Sequence, residues 1–152
     1  MKKTIQCLFS GVALLLVFGC AQGDETVTDK SMQICGDKPN CVSTLDIREA
    51  HYIPPFTVTS STVSMNDIVE VAMTLPGARI GEQNAEYARI ECVSRIMRFV
   101  DDLELRKDGD TLIVRSESRV GYSDFGVNRK RIESLREALK QAGSFSNGYS
   151  RA

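Results

Sequence analysis

From Cys7 to Phe18 apolar residues run almost unbroken, interrupted only by Ser10 and Gly11, behind the positive charges of Lys2 and Lys3. A charged start and a short apolar stretch are the layout of an export signal over residues 1–19, and the stretch falls short of the roughly 20 apolar residues that cross a bilayer. Small polar residues without an aromatic side chain follow, so residues 20–33 read as a flexible tether. Gly36, Pro39, Pro54 and Pro55, with few periodic apolar positions between them, make 34–55 an irregular lead-in.

Periodicity starts at Phe56-Thr57-Val58-Thr59, an alternating β-branched stretch that predicts a strand. Ser64, with Asp67 three positions on, opens a helix whose stripe is Ile68, Ala72 and Leu75, and Pro76-Gly77 stops it. Strands are predicted over Ala78–Glu82, Tyr87–Met97, Phe99–Arg106 and Thr111–Val120, the last two joined by a tight turn with Asp108-Gly109 at its centre. A final helix runs from about Val127 to Ala142, with Ile132, Leu135, Leu139 and Ala142 on one face and Gly143 as its stop. The order strand, helix, four antiparallel strands, helix predicts a two-layer α+β domain over 34–145, with a curved sheet of the TATA-binding-protein or helix-grip kind and a tail over 146–152.

Alternation assigns the faces of that sheet. Ala88, Ile90, Cys92, Ile96, Leu112, Val114 and Val120 should meet the helices, while Arg89, Glu91, Arg95, Arg115, Glu117 and Arg119 point away. Such a polar face is either a ladder of opposite charges, at about 0.2–1 kcal/mol per pair, or a binding surface. The ladder is the simpler reading.

The junction Leu16-Val17-Phe18-Gly19-Cys20 places a small residue before a cysteine, as lipoprotein signal peptidase requires, although Val17 and Phe18 stand where leucine and a smaller residue are commoner. Cys20 is therefore expected to carry the lipid, and Ala21 after it would direct enterobacterial-type sorting to the outer membrane. Cleavage leaves 133 of 152 residues and, by removing Lys2 and Lys3, moves the formal charge from −1 to −3. That balance speaks against nucleic acid and against a polybasic membrane patch, leaving the acyl chains to hold a periplasm-facing domain to the bilayer.

Of the remaining cysteines, Cys35 and Cys41 form the natural disulfide in an oxidising compartment, and closing about seven residues stabilises by about 2–2.5 kcal/mol. Cys92 falls on the apolar face as a buried free thiol. A Cys41–Cys92 bridge and a redox pair are the alternatives. His51, the only histidine, sits in the irregular lead-in and is expected to be exposed or loosely packed. No second imidazole, zinc spacing, phosphate loop or dinucleotide fingerprint accompanies it, so neither metal nor cofactor is expected.

Two segments stand out together: Cys35-Gly36-Asp37-Lys38-Pro39-Asn40-Cys41-Val42-Ser43, and Phe99-Val100-Asp101-Asp102 followed by the run from Arg115 through Gly121-Tyr122-Ser123-Asp124-Phe125-Gly126-Val127-Asn128 to Arg131. With them the chain resembles the domain-of-unknown-function-1499 family of bacterial envelope and plant plastid proteins, over roughly Ile34 to Leu139. Gly36 and Thr44 depart from the family's usual proline and serine. The resemblance implies domain boundaries and no activity.

The Arg115–Arg131 segment reads as a strand end, a turn and a helix start. Gly121 and Gly126 permit positive φ, and Asp124 can cap the last helix. Arg115, Arg119 and Arg131, with Ser118 and Asn128, either form an anion site or pair internally with Asp101, Asp102 or Asp124. Adjacent Asp101 and Asp102 point to opposite faces of a strand and cannot converge on one substrate without a bulge; one is expected to pair with an arginine and the other to cap or bend the strand. Ser118 has no base nearby to make it a nucleophile. Two functions remain open. One is a non-enzymatic envelope module binding a small anionic ligand or a partner protein; the other is a hydrolase or transferase at the Asp101/Asp102–Arg115/Arg119 corner.

Overall fold

The computed structural model describes residues 27–143, 145 and 146; the expected export signal, Cys20 and residues 147–152 lie outside them. Among the described residues nine elements follow one another: β1 (Cys41–Ser43), β2 (Phe56–Val58), α1 (Met65–Ala72), β3 (Ala78–Gln83), β4 (Tyr87–Val93), β5 (Val100–Asp108), β6 (Thr111–Ser118), α2 (Val127–Gln141) and β7 (Phe145–Ser146). The fold is α+β, a curved open antiparallel sheet with two helices. Strands run in the order β3-β4-β5-β6-β2-β7, and β1 pairs with β6 beside β2. β1 meets β6 at Arg115–Glu117, while β2 meets it at Thr111 and Leu112, so one edge of β6 carries two short strands end to end.

The helices form because their ends are satisfied and one stripe of each is apolar. At α1 the Ser64 hydroxyl accepts from the Asp67 N–H and the Asp67 carboxylate accepts from the Ser64 N–H, a complete capping box. Ile68 and Ala72 of α1 and Ile132, Leu135 and Leu139 of α2 are wholly buried against Ala88, Ile90, Leu103, Leu105, Leu112 and Val114 of the sheet. Ala142, expected on that stripe, is exposed because α2 ends at Gln141 and Gly143 turns away with φ +76°.

Two strands stop earlier than alternation suggests. β4 ends at Val93, where the Ser94 N–H donates to the Phe99 carbonyl and the Phe99 N–H to the Ser94 hydroxyl, closing a hairpin tip. Ile96 therefore leaves the apolar face and is 87% exposed. Val120 likewise lies beyond the end of β6 and is exposed. The β5–β6 turn is also shifted by one residue. Asp108 pairs with Thr111, so Gly109 and Asp110 are central, and Gly109 supplies the positive φ (+56°) at the first of them.

The lead-in is not irregular throughout. The Cys35–Cys41 disulfide forms, and Cys92 is a buried free thiol that burial first, and then the nearby Asp101 and Asp102, push up to about 11, against the lowering effect of Arg131. His51 is buried rather than exposed, its Nδ1 donating to the Cys41 carbonyl at 2.9 Å, because the 44–51 loop folds back onto β1. Arg129 and Arg136 of α2 reach across to carbonyls of Ala50, Tyr52 and Pro55 and fasten the segment to the domain.

Candidate functional site

β4, β5 and β6 set Arg89 and Glu91 beside Asp102 and Glu104, and these beside Arg115 and Glu117, all on the face away from the helices. Period-2 alternation fixes this, and the charges are interleaved in sign. Arg115 reaches Glu117 at 3.0 Å and Glu104 at 3.4 Å, not the aspartates considered for it in the sequence. Arg119 grips Asp102 through two guanidinium nitrogens, each at 2.8 Å, and Glu91 at 2.6 Å. That fork holds the Arg119 guanidinium firmly protonated, with the Asp102 carboxylate as the main cause.

Burial and pairing compete along this face. Burial opposes ionisation of Glu91, yet Arg119, Arg89 and Arg79 together hold it below the ordinary carboxylate range. Glu117 is lowered in the same way, with Arg115 and Lys30 outweighing its burial. Glu104 goes the other way: burial raises it despite the Lys30 N–H, Arg115 and the Tyr87 hydroxyl.

Residues Asp29–Ser31, within the segment expected as a tether, dock on this face. Lys30 donates its backbone N–H to Glu104 at 2.7 Å and its ammonium to Glu117 at 3.2 Å, Asp29 pairs with Arg106, and Ser31 is wholly buried. Polar sheet faces attract such a strap when its own charges complement theirs.

On the helix side of the sheet, Asp101 accepts from Arg131 at 2.5 Å. Asn128, fully buried, accepts from the Ser116 hydroxyl and from Arg131, and donates to the Asn40 carbonyl and the Ser118 hydroxyl. Asp124 accepts from the Asn128 and Gly126 N–H groups and so caps α2 from two residues before its N-cap, while Gly121 and Gly126 take positive φ. Both Asp101 and Asp102 are therefore gripped by arginines, on opposite faces; neither serves as a strand cap.

The ends of β5 and β6, the 36–40 loop and Val27-Thr28 enclose an open cleft of about 700 Å³. Asp102, Glu117, Ser118 and Arg119 line it from the sheet, Lys38 and Asn40 from the loop. Of the residues singled out in the sequence, Asp102, Ser118 and Arg119 meet here; Asp101, Asn128 and Arg131 lie behind, on the helix side, and Asp124 caps the helix. Glu104 and Lys30 are not marked by the sequence as site residues, and Lys38 and Asn40 stand out there only as part of the Cys35–Ser43 segment. The alternation of Asp102, Glu104 and Arg106 along β5 was a usable signal for the first. Among the described residues no group of three or more His, Cys, Asp or Glu side chains is placed to hold a metal ion.

A family model described as a protein of unknown function (DUF1499) matches residues 31–139. No curated protein and no solved structure matches the chain.

Proposed function

This chain belongs to the DUF1499 family, and we propose that it is a non-enzymatic cell-envelope module, tethered through a lipid on Cys20, that holds a small anionic ligand in the cleft at the ends of β5 and β6. The observation that carries the reading is how the arginine-rich segment is spent. Arg115, Arg119 and Arg131 are each bound to carboxylates, and Asp101 and Asp102 diverge to opposite faces. Among the described residues no acid, base and nucleophile set converges there. What remains for a ligand is the exposed ammonium of Lys38 and the outer edge of the Arg119 guanidinium, since the Asn40 amide already donates to the Ser118 and Gly121 carbonyls and the Ser118 hydroxyl is turned to Asn128. These are donors, suited to a carboxylate or a phosphate. An acidic segment of a partner protein presents the same groups and is the second reading.

Thermal melts at constant ionic strength test the ligand. The wild type should melt higher in inorganic phosphate or citrate than in chloride, by mass action, and Lys38→Ala should abolish the difference without lowering the melt in chloride. Equal melts in all three salts would remove the small-anion reading. Acyl labelling and detergent partitioning of the wild type against Cys20→Ser test the tether: an unlabelled wild type, or a labelled variant, would refute it.

A further inference from the structure

The hairpin tip between β4 and β5 and the loop between β6 and α2 emerge from the same end of the sheet, because Val93 pairs with Val100 and the Arg119 N–H donates to the Val100 carbonyl. Both carry large apolar side chains into solvent. Ile96, Met97 and Phe99 stand on the tip, and Tyr122 and Phe125 on the loop, with Phe125 90% exposed. Solitary exposed apolar residues are ordinary, but a cluster shared by two loops at one end is not.

The backbone marks the same two loops. Among the described residues, the only non-glycine positions with positive φ are Arg98 (+57°) and Phe125 (+54°), one in each. A left-handed conformation is costly for an aromatic residue, and here it leaves the ring outside the fold. Arg95 and Arg98 lie on the tip and are exposed; the arginine pairs at this end are made by Arg79, Arg119 and Arg131 instead. Apolar and aromatic side chains bracketed by exposed arginines fit the boundary between acyl chains and anionic headgroups.

The start of the described chain agrees. Val27 and Thr28 line the cleft beside Arg119 and Asp102, at this end of the sheet. Six residues lie between Cys20 and Val27, so the seven steps along the chain reach at most roughly 25 Å. We infer that the two loops are the face the tethered domain lays on an anionic bilayer, Ile96, Met97 and Phe125 entering the headgroup boundary and Arg95 and Arg98 meeting lipid phosphates. The inference rests on the lipid anchor at Cys20. The chain's net negative charge does not oppose it, since the acyl chains supply the hold and the loops set the orientation.

The test uses the full chain extracted from membranes and reconstituted into vesicles of phosphatidylethanolamine and phosphatidylglycerol. An environment-sensitive fluorophore is placed at Ile96→Cys, Phe125→Cys or Ala85→Cys, one per protein, the last being exposed in the β3–β4 turn at the opposite end. The first two should shift to the blue and be quenched by a lipid-borne quencher, the third should do neither, and Arg95→Glu/Arg98→Glu should diminish the response at Ile96. Equal behaviour at all three positions of a vesicle-bound protein overturns the inference. So does a shift at Ile96 or Phe125 that grows with protein concentration before vesicles are added, which would assign the face to a second copy of the chain. The mass of the N-terminal peptide is read in parallel. An acylated protein with silent loops loses the inference alone, whereas an unacylated protein that stays in solution loses the anchor as well.

Discussion

Asp101 and Asp102 are neighbours in sequence, yet Arg131 holds the first on the helix side of the sheet and Arg119 the second on the cleft side. The Asp101–Arg131 pair is nearly buried, with side chains 10% and 12% exposed, whereas Arg119 is 32% exposed. The two should therefore differ in their contribution to stability. Arg131→Ala strands Asp101 and removes a donor from Asn128, a loss of about 3–5 kcal/mol. Arg119→Ala should cost about 1–2 kcal/mol, between the exposed and buried limits. Urea unfolding with an unchanged slope measures both, and equal losses would contradict the burial argument. The divergence of the two carboxylates was legible from strand alternation alone. The partner of Arg115 was not, because Glu104 and Glu117 compete with the aspartates on the same face and only the register decides between them. The Nε groups of Arg89 and Arg115 are buried without a partner among the described residues, a desolvation cost that offsets part of what the ladder's ion pairs contribute.

At the scale of elements, long periodic stretches could be read, and a short one only where it alternates β-branched and apolar residues, as β2 does. α2, β4, β5 and β6 carry enough apolar positions to declare a period, but β1 and β7 have three and two residues and no period to detect. Their pairing is decided by the free edges of β6 and β2, which is tertiary information. The turn after α1 shows the opposite case, where one residue type decides the geometry. Gly77 has φ +72°, and a Cβ there would stand 2.2 Å from the Val93 carbonyl oxygen. Gly77→Ala should thus destabilise by more than about 1 kcal/mol, because the gain of about 0.4–1 kcal/mol usual at a compatible site is outweighed by the positive φ and the clash with β4. Calorimetry can compare it with Gly36→Ala, where nothing lies within 4 Å and φ is not positive, and which should melt near the wild type. The disulfide works at the same scale. Cys35→Ser/Cys41→Ser frees the loop and should lower stability by about 2–2.5 kcal/mol, with Cys92 still unreactive until unfolding.

For the whole molecule, the domain is closed by its lead-in, a role that composition conceals because proline, glycine and charge look like linker. Asp46 ties that lead-in together from within. Its carboxylate accepts from the Arg48 guanidinium at 2.7 and 2.9 Å, from the Arg48 N–H and from the Cys35 N–H, and its side chain is 1% exposed. The Arg48 guanidinium, against the effect of burial and with help from the two backbone donors, holds Asp46 far below the usual carboxylate range. Asp29, Glu91, Glu117 and Asp67 are lowered as well, whereas Glu104 is raised. A lowered carboxyl binds fewer protons in the folded chain than in the unfolded one. Its stabilisation is complete above the unfolded value near 4 and drains away as the pH falls through the folded value. Glu104 has the reverse sign, its contribution declining as the pH rises, but it stands alone against the other five. Stability should therefore fall below about pH 4. Asp46→Asn should cost about 1.5–3 kcal/mol at pH 7, the range for hydrogen bonds to a charged group. Its deficit relative to the wild type should narrow steadily below about pH 4, as the unfolded wild type takes up the proton that its folded form resists. Urea midpoints at pH 7, 4 and 3 decide it. A deficit that stays constant across that range would mean that Asp46 acts through packing rather than through its charge, and that the fold of the lead-in does not depend on the ion pair with Arg48.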